Sequence, residues 1–359
     1  MTKKIIFSAG GTGGHILPAI NLMKHFFEKG YKVILVTDLR GVNFIKSNPV
    51  FKSYVLKVET PTNKNLFKKI LSFLVIFYSI IKSIIIIKKE KPNLIFGLGG
   101  YASFPISFAS KFFNLPLVIY ENNMVLGRTN KYLSSFSKKI LVAKKITVNF
   151  PEKCRKKTYE VGSILDKNII NYSPSETKDN KENFSILVLG GSQGAEIFGK
   201  IIPPVIKMLE NNGYQIKIIQ QCIVSQKNSL IDFYKKNNIK SHVFTFDKNI
   251  LKLILSSNLA ITRCGASTTA ELAHTLTPFI AVPLPHSIDD HQYLNAKYYE
   301  NKGCCMLLEE NNFNTQNLFN LIVEIIKNKN KLEKIRENMK KSNNKSVYSF
   351  VENKIKELI

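Results

Sequence analysis

The chain has 359 residues, of which 44% are hydrophobic, and this is enough for two domains with cores of their own. Its five cysteines form no CxxC pair and show no metal-ligand spacing, which argues against a zinc site and fits a reducing cytoplasm. The net charge of +26 is carried mostly by lysine, whereas proteins that read nucleic acid depend on arginine. We therefore attribute the charge first to overall composition and second to attraction toward an anionic membrane surface, and expect no nucleic-acid partner. Because glycines soon interrupt the apolar run after Met1, we also expect no signal peptide.

One glycine-rich pattern occurs twice, half a chain apart. Residues 5–15 (IIFSAGGTGGH) and 186–194 (ILVLGGSQG) each contain an apolar strand, two glycines, a hydroxyl residue and a further glycine before a helical pattern. The hydroxyl residues are Thr12 and Ser192. Backbone N–H groups in such a loop, together with the positive end of the following helix, are suited to bind phosphate. The repeat predicts two similar α/β domains facing a shared cleft, which suits a reaction of two substrates of which at least one carries phosphate.

Strands alternate with helix-length segments in both halves, which predicts βαβ units and parallel sheets. Strands of the first half are predicted at 4–8, 32–37, 53–58, 93–97, 116–120, 138–142 and 158–161. Those of the second half are predicted at 185–189, 215–220, 242–245, 259–262, 279–282 and 304–308, and the pattern is helical from 314 onward. The polar stretch 173–183 predicts a surface linker. We expect an N-terminal domain at 1–163, a C-terminal domain at 164–342, and a helix at about 343–359 that could pack back on the first domain.

The apolar run at 70–87 admits more than one interpretation. Its 18 positions are at the short end for a membrane span, and Lys82 inside a span would cost about 2.5–3.5 kcal/mol. A spanning helix would also separate two strands that are expected to be parallel neighbours in one sheet. The run is then either a buried crossover helix or a helix that exposes an apolar patch with a basic rim to an anionic membrane. The patch would consist of Phe67, Phe73, Ile76, Phe77 and Ile80, flanked by Lys64, Lys68, Lys69 and Lys82.

Polar residues follow three strands of the first half. His15 stands at the start of a helix, which disfavours the protonated imidazole, so a neutral His15 could act as general base for a hydroxyl or could only order the loop. The stretches 97–101 (GLGGY) and 120–130 (YENNMVLGRTN) follow two further strands. Since ligands bind beyond the carboxyl ends of parallel strands, we expect these features to converge. Candidates for a polar substrate are Glu121, Asn123 and Asn130, although a single asparagine can also serve as a turn or a helix cap.

Two stretches of the second half have the composition of a nucleotide site. In 263–271 (RCGASTTAE), glycine and hydroxyl residues at a helix start supply donors for a diphosphate. Glu271 could accept the hydroxyls of a ribose or could be a solvated helix residue. The stretch 283–296 (PLPHSIDDHQYLNA) predicts a rigid polar loop that brings His291 and Gln292 near the cleft.

Taken together, the motifs GGTGGH, GLGGY, ENN…GxTN, GGSQG, TRCGASTTAEL and PLPHSIDDHQYLNA resemble those of the MurG family, the peptidoglycan N-acetylglucosaminyltransferases, over nearly the whole chain. The resemblance implies a GT-B fold of two Rossmann-like parallel-sheet domains facing a central cleft. It implies inverting transfer of N-acetylglucosamine from UDP-N-acetylglucosamine to lipid I, the undecaprenyl-diphosphate-linked muramoyl-pentapeptide, to form lipid II. It further implies a peripheral protein on the cytoplasmic face of the bacterial inner membrane, with an anionic membrane surface and cell-wall synthesis proteins as partners.

The resemblance also assigns site residues. His15 matches the base of the family, and Glu121 is a second catalytic candidate. The implied donor contacts are Thr12, Gly13, Gly14, Asn123, Ser192, Ala266, Ser267, Thr268, Thr269, Ala270, Glu271 and Gln292. The acceptor is assigned to Gly100, Tyr101 and Asn130.

Two departures from the family pattern affect the donor site. Where the family has Gly-Asn-Pro-Val-Arg, this chain has Gly162 to Asp166, so an acid replaces an arginine that contacts the donor, and Lys167 or backbone donors would take over. His291 stands where a glutamine is common.

No Asp-x-Asp motif is placed to hold a metal, so we expect activity without divalent metal or any other cofactor. Three alternatives stay open at this point: a GT-B transferase with another acceptor such as diacylglycerol, a dinucleotide-dependent oxidoreductase with Asp38 as ribose ligand, and a non-catalytic membrane-recruitment subunit.

Overall fold

The computed structural model describes residues 2–11, 13–45, 51–58, 66–145, 148, 150–172, 184–191, 194–342 and 346–359, without the side chains of residues 45, 66–69 and 329. The chain forms two compact units, Met1–Asp166 together with Ser346–Ile359, and Lys167–Lys345. Thr12, Ser192, Lys64 and the segment 173–183 lie outside the described residues, as do the side chains of Phe67, Lys68 and Lys69.

The first unit is built on one parallel sheet. Its strands are β1 (Lys4–Ser8), β2 (Lys32–Thr37), β3 (Lys52–Val55), β4 (Leu94–Gly97), β5 (Leu117–Glu121), β6 (Lys139–Val142) and β7 (Thr158–Glu160). They pair in the order β3-β2-β1-β4-β5-β6-β7. Its helices are α1 (Gly13–Glu28), α2 (Leu39–Ile45), α3 (Leu66–Glu90), α4 (Ser103–Ala109) and α5 (Arg128–Leu133). The apolar residues Ile5, Ile6 and Phe7 of the central strand are fully buried, as expected for a parallel sheet covered on both faces.

The second unit repeats this plan with a six-stranded parallel sheet. Its strands are β8 (Phe184–Leu189), β9 (Ile216–Gln221), β10 (Lys240–Phe244), β11 (Leu259–Thr262), β12 (Phe279–Ala281) and β13 (Met306–Leu307), in the order β10-β9-β8-β11-β12-β13. Its helices are α6 (Lys167–Ile170), α7 (Glu196–Asn211), α8 (Lys227–Lys236), α9 (Ile250–Leu255), α10 (Ala266–His274), α11 (His291–Asn301), α12 (Thr315–Lys327) and α13 (Lys329–Ser342). The prediction of two parallel-sheet α/β domains is confirmed.

The last helix, α14 (Val347–Lys356), belongs to the first unit although it follows the second in sequence. Its buried Glu352 lies 3.0 Å from Nε2 of buried His25 on α1. The ammonium group of Lys139, at the start of β6, donates to the carbonyl oxygen of Lys354 and pairs with Glu357. These buried polar contacts fix the C-terminal helix to the first sheet.

Helix α3 exposes many of its large apolar side chains, whereas Ile86 and Ile87 near its end are buried. Its serines point inward: Ser72, Ser79 and Ser83 are fully buried, and the Ser79 hydroxyl donates to the carbonyl of Lys57. The exposed large hydrophobic residues are Ile70, Leu71, Phe73, Leu74, Phe77, Tyr78, Ile81 and Ile85. Ile76 and Ile80 of the predicted patch are half-buried.

Two findings decide between the interpretations of this helix. It connects β3 and β4 within one parallel sheet, so it is a crossover, but the expectation that it is wholly buried is wrong. Among the described residues, Ile70–Glu90 is the one helical segment long and apolar enough to span a membrane by length and composition, and 28% of its most apolar stretch is buried. The predicted exposed apolar patch is confirmed for Phe73 and Phe77.

Candidate active site

Two glycine loops at neighbouring strand ends touch each other in the first unit. The loop after β1 contains Gly10, and the loop after β4 contains Gly100. A Cβ at Gly10 would lie 2.3 Å from Cβ of Ala102, and one at Gly100 would lie 2.6 Å from the carbonyl oxygen of Gly10. Only glycine permits this approach, and Gly100 also has a φ of +75°. Tyr101, beside this contact, is half-buried.

His15 lies against the second of these loops. Gly13 and Gly14 begin α1, which places His15 in its first turn with a half-buried side chain. A Cβ at Gly99 would lie 3.0 Å from both Nδ1 and Cε1 of His15, and 3.5 Å from Nδ2 of Asn130. The imidazole and the Asn130 amide are therefore neighbours, separated by a residue that has no side chain. The structure brings together His15, Gly99 and Asn130, so the three strand ends converge as the sequence predicted.

The carboxylate of Glu121, at the end of β5, is fully engaged. One oxygen accepts hydrogen bonds from the backbone and the side-chain amide of Asn123, at 3.1 and 3.0 Å. The other accepts from the backbone of Gly127 and from Nδ2 of Asn130, both at 2.9 Å. Glu121 is 2% exposed. Four N–H donors occupy the two oxygens of this carboxylate, so the arrangement favours positioning of Asn123 and Asn130 over base catalysis.

Asn130 carries an unused acceptor next to His15. Its Nδ2 donates to Glu121 and to the carbonyl of Tyr120, whereas its buried Oδ1 has no hydrogen-bond partner among the described residues. A buried acceptor without a partner costs about 1–3 kcal/mol, and such groups are typical of functional sites. This supports the assignment of Asn130 to substrate binding.

Asp38 stabilises the first glycine loop. One of its oxygens accepts from the backbone N–H of Gly11 at 3.1 Å and from Arg40, and the other accepts from the backbone N–H of Gly41 at 2.9 Å. Burial raises the pKa of Asp38, but the hydrogen bonds from Gly41 and Arg40 outweigh it and hold the pKa below its usual value. A carboxylate engaged in this way cannot serve as the ribose ligand of a dinucleotide site.

The glycine loop of the second unit is supported by a neutral side chain. The backbone N–H of Gly190 donates to Oε1 of Gln221, at the end of β9, at 3.1 Å. A Cβ at Gly190 would lie 2.5 Å from the backbone nitrogen of Ala195, and one at Gly194 would lie 2.4 Å from a methyl group of Ile223. Both glycines therefore lie where the backbone packs closely on its neighbours.

Helix α10 begins directly after β11 with Gly265 as its N-cap. Ala266, Ser267, Thr268 and Glu271 are half-buried at its start, where a ligand could reach them. The side chains of Thr269 and Ala270 are buried, and the donor contacts assigned to them stay predictions. The Thr269 hydroxyl donates to the carbonyls of Gly265 and Ala266, at 3.1 and 3.2 Å. Their side chains pack the helix against the core.

Gln292 joins the ends of two neighbouring strands. Its Oε1 accepts from the backbone N–H of Cys264, at 3.1 Å, and from that of Leu284, at 3.0 Å. Cys264 follows β11 and immediately precedes the N-cap of α10, so this amide fixes the loop that carries the helix start. The ring of His291 contacts the carbonyl of Ile288 at 2.8 Å, within its own loop.

Arg263 is a site-forming residue to which the sequence pattern assigned no role. Its guanidinium is buried, pairs with Glu310 and donates to the carbonyls of Val282 and Pro283, at 3.3 and 3.1 Å. It thereby anchors the start of the loop 283–290. Its position directly after an apolar strand was the one sequence signal for a role at the site. Its partners could not be predicted, because they lie up to 47 residues away in the chain.

The chain matches the glycosyltransferase family 28 N-terminal domain at residues 5–142 and the C-terminal domain of the same family at residues 185–353. A protein of Pelagibacter ubique named UDP-N-acetylglucosamine–N-acetylmuramyl-(pentapeptide) pyrophosphoryl-undecaprenol N-acetylglucosamine transferase is 35% identical over 99% of this chain and 98% of its own length. A Rickettsia canadensis protein of the same name is 36% identical over 99% of this chain and 100% of its own length. The chain belongs to the MurG family.

Solved structures agree with the fold of a MurG family member. The crystal structure of Acinetobacter baumannii MurG matches with a TM-score of 0.81 and 24% identity, covering 99% of this chain and 100% of that one. A complex of Staphylococcus aureus MnaA with UDP matches with a TM-score of 0.72 and 13% identity, covering 100% and 98%. At these identities the likeness establishes the fold alone. Within the described residues, no group of three His, Cys, Asp or Glu side chains is arranged to hold a metal ion.

Proposed function

We propose that this protein transfers N-acetylglucosamine from UDP-N-acetylglucosamine to lipid I, with inversion, and so forms lipid II in peptidoglycan synthesis. The observation that carries the proposal is the full-length similarity to transferases named for this reaction. The cluster of His15, Gly99 and Asn130 at the strand ends of the first unit supports it, since this is where a sugar hydroxyl and its base would have to meet.

In the proposed mechanism the first unit binds the acceptor and the second unit binds most of the donor. The acceptor hydroxyl attacks the anomeric carbon of the donor in line, and His15 accepts its proton. UDP leaves from the opposite face. We assign Glu121 to positioning, because its carboxylate already accepts four hydrogen bonds, and we assign the acceptor sugar to Asn130 and the loop at Gly100 and Tyr101.

The donor is proposed to bind mainly in the second unit. The loop 190–194 and the first turn of α10 would stabilise the leaving diphosphate through N–H donors and the helix dipole. Ser267, Thr268 and Glu271 are half-buried at this point, and Gln292 fixes the preceding loop. The contacts expected from Thr12, Gly13, Gly14, Asn123 and Ser192 and the effect of Asp166 stay predictions, as does activity without metal.

We further propose that α3 seats the enzyme on an anionic membrane surface, in keeping with a lipid-linked acceptor. A helix that buries its serines and exposes eight large hydrophobic residues suits the boundary between headgroups and acyl chains. Lys82, whose ammonium lies 5.1 Å from the centre of the Tyr78 ring, adds positive charge at the edge of this surface. A location on the cytoplasmic face and contacts with cell-wall synthesis proteins stay predictions.

The decisive experiment is transfer of labelled N-acetylglucosamine from the UDP sugar to a short-chain lipid I analogue, by the wild type and by His15→Ala. Loss of a general base should slow transfer by roughly 10²- to 10⁴-fold. UDP-N-acetylglucosamine should still raise the melting temperature of the variant, and NAD should raise that of neither protein.

The other results of this assay would revise the proposal at different points. A variant only a few-fold slower than wild type would leave the reaction in place and remove His15 as base. A wild type that binds the donor without transferring the sugar would overturn the acceptor, and diacylglycerol would then be tested next.

A further inference from the structure

Arg40 is held beside the first glycine loop by Asp38. Its Nε and Nη2 donate to the same carboxylate oxygen of Asp38, at 3.2 and 2.9 Å, and that oxygen also accepts from the backbone of Gly11. A Cβ at Gly11 would lie 3.6 Å from Nη2 of Arg40. The guanidinium therefore lies over the loop and is held there by Asp38.

Most of the Arg40 side chain remains accessible. The side chain of Arg40 is 65% exposed, whereas that of Asp38 is 8% exposed. A guanidinium has five N–H donors, and Asp38 engages two of them. Within the described part of the chain, no hydrogen bond occupies the other three. A cation that is oriented by a buried carboxylate and presents further N–H groups outward has the geometry of an anion-binding arginine.

One backbone donor of this loop is already occupied. The N–H of Gly11 already donates to Asp38, so this backbone group cannot also bind a ligand. Lysine greatly outnumbers arginine in this chain, which has five arginines among 52 basic residues. A lysine could pair with Asp38, but its single ammonium could not hold the carboxylate and bind a planar pair of oxygens on the opposite side.

We propose that Arg40 binds the diphosphate of a substrate at the first glycine loop. The proposal rests on the proposed function, in which the donor and the lipid-linked acceptor both carry a diphosphate. Because the UDP diphosphate is assigned to the second unit, we expect the diphosphate of the acceptor at Arg40. Arg40 then sets acceptor affinity from a strand end next to the one that carries His15.

The test compares Arg40→Gln and Arg40→Lys with the control Arg155→Gln. Arg155 is an exposed arginine of the same unit that pairs with Glu152, far from the loop in sequence. Steady-state transfer would give KM for the acceptor analogue and for UDP-N-acetylglucosamine separately. Arg40→Gln should raise the acceptor KM by about tenfold to a hundredfold, as for a lost charge-assisted hydrogen bond, and Arg40→Lys should raise it less. The donor KM and both constants of Arg155→Gln should stay within about twofold.

A rise confined to the donor KM would support diphosphate binding by Arg40. It would show that the diphosphate bound there belongs to the UDP sugar and not to the acceptor. Equal changes in both constants, a change in kcat alone, or values matching those of Arg155→Gln would overturn the proposal.

A binding measurement keeps this test apart from that of the overall reaction. Inorganic pyrophosphate should raise the melting temperature of the wild type and of Arg155→Gln more than that of Arg40→Gln. Equal stabilisation of all three proteins would overturn the role of Arg40 even if the transfer assay detected no product. Smaller stabilisation of Arg40→Gln alone would support it even if the wild type transferred no sugar.

Discussion

The two units share one plan but support their glycine loops with different chemistry. In the first unit a buried carboxylate, Asp38, binds the loop and an arginine, and in the second a neutral amide, Gln221, does so. A Cβ added at Gly100 would clash with the backbone of Gly10, whereas one added at Gly194 would clash with the side chain of Ile223. The first unit also carries the exposed apolar helix α3.

These differences show that a repeated backbone motif leaves the function of each copy open. The same strand-loop-helix unit can supply an anion site in both halves. The residues packed against each loop decide whether a base, a cation or a neutral amide lies next to the ligand. In the first unit, His15 and Arg40 both reach the loop region from neighbouring elements.

The largest expected contrast between the units is in membrane binding. Phe77 of α3 is 63% exposed and Phe246 of the second unit is 73% exposed, so they form a matched pair. Burying a phenylalanine in a membrane contributes about 1.5–3 kcal/mol, and Phe77→Ser should therefore weaken binding to anionic vesicles by about tenfold to a hundredfold. Phe246→Ser should leave it unchanged in the same sedimentation assay. Equal losses in both variants would show that α3 is not a specific membrane surface.

The second contrast concerns tolerance of a side chain in the loops. Gly100→Ala should lower the free energy of unfolding by roughly 3 kcal/mol or more, because it adds a clash with the Gly10 carbonyl to the cost of a positive φ. Gly30 has a φ of +83° and nothing within 4 Å of its Cβ position. Gly30→Ala should therefore lower the free energy of unfolding by roughly 1–2 kcal/mol, the cost of the positive φ alone. Gly194→Ala should fall between them, since the Ile223 side chain can move. Urea denaturation would rank the three variants, and equal losses for Gly100 and Gly30 would refute the close packing of the loops.

The smallest contrast is in the pH dependence of the two loop supports. The pKa of Asp38 is lowered in the folded protein, so its stabilisation is present above about pH 3.8 and is lost as pH falls through the lowered value. Asp38→Asn should cost roughly 1–2 kcal/mol at neutral pH and progressively less below pH 4. Gln221→Leu should cost about 1 kcal/mol at every pH, because an amide does not titrate. Chemical denaturation at several pH values would test this, and a constant deficit for Asp38→Asn would contradict an ionised support.

Much of the molecule could be predicted from local sequence pattern. The alternation of apolar runs with helix-length segments gave both parallel sheets, and the glycine motifs identified the strand ends where His15 and Asn130 meet. The surroundings of single side chains were harder to predict, because they depend on partners that folding brings close. Thr269 lies in a motif rich in hydroxyl residues, but its side chain is buried. Glu121 has the chemistry of a base, and its four hydrogen bonds come from residues of the following loop and helix.

The sequence by itself determined the two α/β units, their strand ends and the family, because strand periodicity, glycine loops and motif order are written within short stretches of chain. Only the tertiary structure decided which face of α3 is exposed, which carboxylates are engaged, and that Arg40 lies over the first loop. Those properties depend on partners distant in the chain, such as Gly11 and Asp38, which are 27 residues apart. Burial and hydrogen bonding act between neighbours in space, and the packing of helices against the sheet determines which residues become neighbours.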